Sequence, residues 1–83
     1  MKIRIRYFAS LREALGSGED LELPGPLSVA ALREQLAGRS GRHAELLTGT
    51  RPVRCALNQT MADESALVEE GAEVAFFPPV TGG

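Results

Sequence analysis

Residues 28–38 read SVAALREQLAG and carry the clearest helical pattern in the chain. The apolar residues recur at the spacing that gathers side chains on one face of an α-helix, at Val29, Leu32 and Leu36. Ser28 is a natural N-cap, and Gly38 supplies a stop. We therefore predict one main amphipathic helix over Val29–Ala37 whose apolar face packs on another element.

The segment before this helix opens with a strict alternation over Lys2–Phe8, which predicts a strand with one buried face. The apolar face consists of Ile3, Ile5 and Tyr7. The opposite face carries the alternate residues Lys2, Arg4, Arg6 and Phe8. Such alternating charges indicate a solvated strand face rather than a phosphate-binding stripe.

A short helix and a second strand are expected before the main helix. Ser10 and Glu13 have the spacing of a capping box, and Gly16 supplies a stop. Leu21 and Leu23 then alternate with acidic residues, which predicts a strand joined to the short helix through a loose glycine-containing connection.

The second half of the chain predicts one loop and two further strands. Residues 39–50 carry Gly, Ser and Thr, so we expect a loop with one helical turn over 44–47. A third strand is predicted over 52–58, with a turn at Asn58-Gln59. The last strand is predicted over Glu73–Phe77, because Pro78 and Pro79 cannot donate to a ladder.

This order of elements predicts an α+β fold in which one main helix packs on a single mixed sheet. The first and last strands can lie side by side and parallel, but periodicity alone leaves the strand order open. We expect one domain over residues 1–77 and a flexible C-terminal tail over residues 78–83. The expected core contains Ile3, Ile5, Leu32, Leu36, Leu57, Val74 and Phe76.

Composition bounds the function classes. The 83 residues include nine Lys and Arg against eleven Asp and Glu, a net charge of −2, which argues against nucleic acid or an anionic membrane as the main partner. Cys55 is the only cysteine, so no internal disulfide is expected. The N-terminal residues lack the apolar run of a signal peptide, and we expect a cytoplasmic protein.

The chain lacks the residues of a self-sufficient enzyme. His43 is the only histidine, and we expect it to be a structural residue in a polar loop. Cys55 falls on the apolar face of its strand, where a small buried hydrophobe is the better explanation. No His, Cys, Asp or Glu cluster has metal-ligand spacing, so we expect no bound metal or cofactor.

The C-terminus, in contrast, carries usable chemistry. Pro78 and Pro79 bias the chain towards an extended exit, and Gly82 and Gly83 have no Cβ, so this segment could thread a narrow channel. The group it would present is the free α-carboxylate of Gly83. A carboxylate becomes reactive once another enzyme converts it to an acyl-adenylate. An inert terminal tail is the competing interpretation.

Strand alternation also predicts two phenylalanines outside the core. Phe77 falls on the face opposite Val74 and Phe76, and Phe8 falls opposite Tyr7. Exposed rings beside a projecting tail indicate a docking surface, and the competing interpretation is that a twist in the last turn tucks one ring into the core.

The same segments resemble a known family. Residues 56–60, ALNQT, and 73–83, EVAFFPPVTGG, resemble the C-terminal half of MoaD, the small-subunit family of molybdopterin synthase. Residues 7–13, YFASLRE, resemble the first strand and helix of that family. The resemblance implies a ubiquitin-like β-grasp fold and a sulfur carrier without catalytic residues of its own.

The resemblance also implies a reaction sequence. An E1-like enzyme uses ATP to adenylate Gly83, and a sulfur donor then converts the terminus to a thiocarboxylate. The tail enters the large synthase subunit, which holds the catalytic residues, and sulfur passes to cyclic pyranopterin monophosphate. The tail residues are Pro78, Pro79, Val80, Thr81 and Gly82. Members of the family usually form a heterotetramer of two small and two large subunits.

Four residues match family positions that face the partner, namely Phe8, Arg12, Met61 and Phe77. Three other functions remain open on the sequence. The chain could carry sulfur for thiamine or cysteine biosynthesis, modify proteins through isopeptide bonds at the activated glycine, or serve as a β-grasp interaction module with an inert tail.

Overall fold

The computed structural model describes residues 1–48 and 52–79. The strands are β1 (Lys2–Tyr7), β2 (Gly18–Glu22), β3 (Leu27–Ser28), β4 (Arg54–Leu57), β5 (Thr60–Met61), β6 (Leu67–Val68) and β7 (Glu73–Phe77). The helices are α1 (Ala9–Leu15), α2 (Val29–Ala37) and α3 (Gly41–Thr48).

Five of these strands form a mixed sheet in the order β2-β1-β7-β4-β5. The central pair, β1 and β7, is parallel, and the other neighbours are antiparallel. A helix packed on a mixed sheet with its first and last strands central is the β-grasp arrangement, so the predicted fold class is confirmed. A second, two-stranded sheet pairs β3 with β6 through two residues on each strand, and the sequence does not predict it.

The core lies between this sheet and α2. Val29, Leu32 and Leu36 are fully buried, in one cluster with the inward residues of the strands. Ser28 caps the helix as predicted, because its Oγ accepts a hydrogen bond from the Ala31 N–H at 3.1 Å. The predicted core is otherwise confirmed except at Leu57, which is half-buried and packs against the core from its margin.

The predicted loop is wrong over residues 41–48, where the sequence predicts a single helical turn over 44–47 and the structure has the helix Gly41–Thr48. Residues 49 and 50 of the predicted loop lie outside the described residues. Ser40 caps this helix by accepting a hydrogen bond from the His43 N–H at 3.1 Å. Leu47 is buried in the core, and this burial compensates for the poor helix propensity of the polar and glycine residues around it. His43 therefore lies in the first turn of a helix, and its Nδ1 is 2.8 Å from Ser40 Oγ.

The start of the chain differs from the prediction in two details. Phe8, not Ser10, is the N-cap of α1, and no side chain caps this helix. The second strand begins at Gly18 rather than near Leu21, and Leu23 follows its end. At Gly18 the φ angle is +146°, and an added Cβ would lie 2.1 Å from the Ile5 carbonyl oxygen, so the close approach to β1 requires glycine.

Candidate functional site

The face of the sheet opposite α2 has small residues at its centre. Strand register aligns Arg6 with Ala75, Ala75 with Ala56, and Ala56 with Met61. Because paired residues share a face, these side chains form one row across four strands. The two alanines lower the middle of this row relative to the larger residues around it.

Phe8 and Phe77 border this low centre at the end of the sheet where β1 and β7 finish. Phe8 continues the β1–β7 ladder by donating its N–H to the Phe76 carbonyl at 3.1 Å. A groove of about 410 Å³ results, lined by Arg6, Phe8, Ala56, Gln59, Glu73, Ala75 and Phe77. Phe8 is 37% exposed and Phe77 is half-buried, so both rings lie outside the core as strand alternation predicts.

Met61 lies on the same side of the sheet and is 56% exposed. It pairs with Ala56 on the edge strand and borders a neighbouring concavity rather than the groove itself. We call the apolar surface formed by these side chains the docking face; its members are Phe8, Ala56, Met61, Ala75 and Phe77.

Arg6 holds the Phe8 ring in place. Its guanidinium carbon lies 5.1 Å from the centre of the Phe8 ring, and its Nη1 lies 3.8 Å from Glu73 Oε2. Stacking of a guanidinium on a ring is favourable by roughly 0.5–1 kcal/mol at exposed sites. Alternation in the sequence predicts only a solvated position for Arg6, because periodicity gives the side of a strand but not the contact across it.

The turn that positions Met61 is fixed to the last strand. Asn58 and Gln59 both have positive φ angles, 51° and 68°, as a two-residue hairpin turn requires. Asn58 donates its N–H to the Glu73 carbonyl at 2.8 Å, and its Oδ1 accepts the Glu73 N–H at 2.9 Å. These two bonds tie the β4–β5 hairpin to β7 and so hold the two sides of the docking face together.

Arg12 is the predicted partner residue that the structure does not bring into the groove. It is exposed on α1, and no hydrogen bond or ion pair links its side chain to another described residue. Three of the four predicted partner residues, Phe8, Met61 and Phe77, therefore share the docking face. Ala56 and Ala75 were missed, although the parity that exposes Phe77 also puts Ala75 beside it.

The chain leaves the sheet directly beside the docking face. Strand β7 ends at Phe77, and Pro78 and Pro79 are half-buried. The predicted tail residues Val80, Thr81, Gly82 and Gly83 lie outside the described residues. Because β1 and β7 are parallel, the start of the tail and Phe8 lie at the same end of the sheet.

The described residues offer no nucleophile paired with a base. Cys55 is buried, and this burial raises the pKa of its thiol to about 11, which keeps it protonated and unreactive at neutral pH. Within residues 1–48 and 52–79, no three His, Cys, Asp or Glu side chains are grouped so that they could hold a metal ion. None of the helices in these ranges has the length and apolar character of a membrane span.

Comparison with known proteins places this architecture in a family. Residues 5–83 match the ThiS family. The molybdopterin synthase sulfur carrier subunit of Escherichia coli is 38% identical over 81 residues, which cover 98% of this chain and 99% of that protein.

Two solved structures share the fold. The putative molybdopterin converting factor subunit 1 of Pyrococcus furiosus superposes with a TM-score of 0.77 at 26% identity, covering 96% of this chain and 99% of that one. The small archaeal modifier protein 1 of Haloferax volcanii gives a TM-score of 0.75 at 25% identity over the full length of both chains. With its β-grasp sheet and a match over nearly its whole length, the chain belongs to the ThiS family, alongside the molybdopterin synthase sulfur carrier subunits.

Proposed function

We propose that this chain is the sulfur-carrier subunit of a molybdopterin synthase and that Gly83 bears the sulfur as a thiocarboxylate. The observation that carries the proposal is the position of the docking face at the point where the chain leaves the sheet. A domain whose described residues hold no nucleophile paired with a base, and whose Phe8 and Phe77 lie outside the core beside the start of a Gly-Gly tail, is suited to deliver that tail to another protein.

The chemistry begins with activation of the terminus. A carboxylate oxygen is a poor leaving group, so an E1-like enzyme would first join Gly83 to AMP, releasing pyrophosphate from ATP. A sulfur donor would then displace AMP and leave a thiocarboxylate. The chain itself would bind no cofactor, and ATP would be used only by the activating enzyme.

Sulfur transfer would take place in the large subunit. Residues 78–83 could reach roughly 20 Å if extended. The domain could therefore stay outside while Gly83 enters a cleft, and the large subunit would supply the catalytic side chains. Sulfur would pass to cyclic pyranopterin monophosphate, and two transfers would complete the dithiolene. We propose a cytoplasmic heterotetramer with two copies of each subunit.

Two measurements test this function in sequence. Intact-mass analysis after incubation with an activating enzyme, ATP and a sulfur donor should show the mass gain of one oxygen replaced by sulfur. The product, mixed with a molybdopterin synthase large subunit and cyclic pyranopterin monophosphate, should yield molybdopterin. A mass gain without molybdopterin would instead indicate a carrier for another pathway, such as thiamine or cysteine biosynthesis.

Protein modification is a second candidate, favoured by the fold shared with the archaeal modifier protein. Both functions would begin with the same adenylate, but a modifier passes its glycine to an amine and forms an isopeptide bond. Supplying the activated protein with sulfur donor and amine acceptors together separates them. The proposed function predicts thiocarboxylate as the main product, and amide products would favour the modifier. An unchanged mass would indicate an inert tail.

A further inference from the structure

Three arginines face outward from the strands around the docking face, and one of them differs from the others. Arg4 Nε lies 3.0 Å from Asp20 Oδ1, and Arg6 Nη1 lies 3.8 Å from Glu73 Oε2. Arg54 is exposed on β4, and its side chain makes no ion pair or hydrogen bond with any other residue in the described ranges. Lys2 also faces outward without an ion pair, but it lies at the far end of β1, so within the described ranges Arg54 is the arginine of these three whose charge no contact balances.

The position of Arg54 makes this charge relevant to docking. Arg54 is the cross-strand partner of Phe77, the last residue of β7, so the two side chains stand next to each other on the outer face. Arg54 also lines the neighbouring concavity of about 420 Å³ together with Met61. A partner surface that covers both Phe77 and Met61 crosses β4 beside Arg54.

Covering an arginine with apolar surface is unfavourable, because a charge removed from water needs a partner of opposite sign. Asp63 and Glu64 line the same concavity. Glu64 is bound by Arg33, whose Nε and Nη2 donate to its two carboxylate oxygens at 2.7 and 3.0 Å. Asp63 is exposed and forms no ion pair with Arg54. No residue in the described ranges supplies the compensating carboxylate, which points to the partner as its source.

We infer that Arg54 is a specificity-determining residue, and that the large subunit presents a carboxylate opposite it, at the margin of the surface that covers Phe77. The inference rests on the proposed function, which supplies the partner. It adds the chemistry of one contact and the residue on this chain that recognises it. A large subunit with a neutral or basic group at that position would be discriminated against.

The test is the affinity of the purified large subunit for wild type and for variants at Arg54. Arg54→Lys keeps the charge and should bind within about threefold of wild type, Arg54→Ala should bind about tenfold more weakly, and Arg54→Glu about a hundredfold more weakly. Raising the salt concentration should shrink these differences. The matched control is Arg42→Glu, the same charge change on exposed α3, which packs against α2 on the other side of the sheet. Its affinity should stay within about twofold of wild type.

The outcomes separate the inference from the function on which it rests. If the large subunit binds wild type and binds Arg54→Glu with the same affinity, the inference is overturned and the proposed function stays intact. An equal loss in Arg54→Lys, Arg54→Ala and Arg54→Glu, insensitive to salt, would show that the shape of the side chain matters rather than its charge, and would also overturn it. Failure of the wild-type protein to bind would overturn the proposed function and this inference together. Restoration of Arg54→Glu binding by reversing one acidic residue of the large subunit would support it and identify the carboxylate.

Discussion

Phe76 and Phe77 are adjacent in the chain and have opposite environments. Phe76 is fully buried and stacks on Tyr7, with ring centres 6.2 Å apart. Phe77 points to the outer face and is half-buried beside the groove. The alternation of a strand is sufficient to separate a core ring from a surface ring, and for this reason the sequence predicts both positions correctly.

This pair allows a test of the docking face at single-residue resolution. Phe77→Ala should weaken binding to the large subunit by about 2 kcal/mol, roughly thirtyfold, because aromatic anchors dominate interface energies. It should lower the free energy of unfolding by only about 1 kcal/mol, since the ring is half-buried. Phe76→Ala is the matched control and should cost about 3–5 kcal/mol of stability. A large stability loss in Phe77→Ala with unchanged affinity would place its ring in the core.

The thiol of Cys55 predicts how stability depends on alkaline pH. Burial raises its pKa from 9.0 to about 11; Arg33 opposes this and Glu64 adds to it. Because the unfolded chain loses this proton first, the contribution of Cys55 to stability is complete below pH 9 and is lost as the pH rises through about 11. The loss should be at most about 2–3 kcal/mol.

Urea unfolding of wild type and Cys55→Ala across this pH range tests the assignment. The variant should be less stable at neutral pH because it leaves a small cavity, but its stability should fall less between pH 9 and 11. Burial also raises the pKa of Tyr7, and the charge of Glu19 is the second cause of this rise. The contribution of Tyr7 to the pH dependence of stability is the same in wild type and in Cys55→Ala. Parallel pH profiles for the two proteins would be inconsistent with a protonated buried thiol.

At the scale of elements, the sequence predicts α2 over its full length but α3 only as a single turn within a loop. The main helix has its apolar spacing, its Ser28 cap and its Gly38 stop within eleven residues of sequence. The third helix begins at Gly41, and its fully buried residue, Leu47, contacts groups distant in sequence. One such contact is the bond from Arg33 Nη1 to the Leu47 carbonyl at 3.1 Å. Ser40 as a cap and the apolar residues Ala44 and Leu47 three positions apart are local signals of this helix, but the Gly, Ser and Thr residues around them favour a loop in the sequence.

The cap of α3 gives a direct test of this helix. Ser40→Ala removes the acceptor of the His43 N–H and should lower the free energy of unfolding by about 1 kcal/mol. Ser28→Ala removes the equivalent bond at the start of α2 and should cost a similar amount. Chemical denaturation of both variants compares the two caps under one condition. If Ser40→Ala has no effect while Ser28→Ala does, the first turn of α3 is not formed in solution.

At the scale of the whole molecule, the sequence predicts the strands and the main helix but not how they combine. Strand order and register decide that Ala56 and Ala75 lie between Arg6 and Met61, and hydrophobic periodicity contains no information on either strand order or register. The docking face is therefore a property of the folded sheet. Strand alternation singles out Phe8 and Phe77, and the family resemblance adds Met61, whereas the role proposed for Arg54 depends on its pairing with Phe77.

The central claim is that the carboxyl terminus of Gly83 is the reactive group. The length of the tail that carries it is the most direct variable to change. A group that reacts inside a channel must stop within about 3–3.5 Å of its target, and one residue moves the terminus by roughly 3.3 Å. Deleting Gly83, or adding one residue after it, should therefore abolish sulfur transfer without unfolding the domain.

The measurement is single-turnover conversion of cyclic pyranopterin monophosphate by the large subunit, after thiocarboxylate formation has been attempted on each variant. Circular dichroism and affinity for the large subunit serve as controls, because the docking face lies within the described domain and does not include Gly83. We expect native folding, near-native binding and no molybdopterin from the shortened and extended chains. Turnover at the wild-type rate by the protein lacking Gly83 would contradict the account, since the sulfur would then have to come from elsewhere.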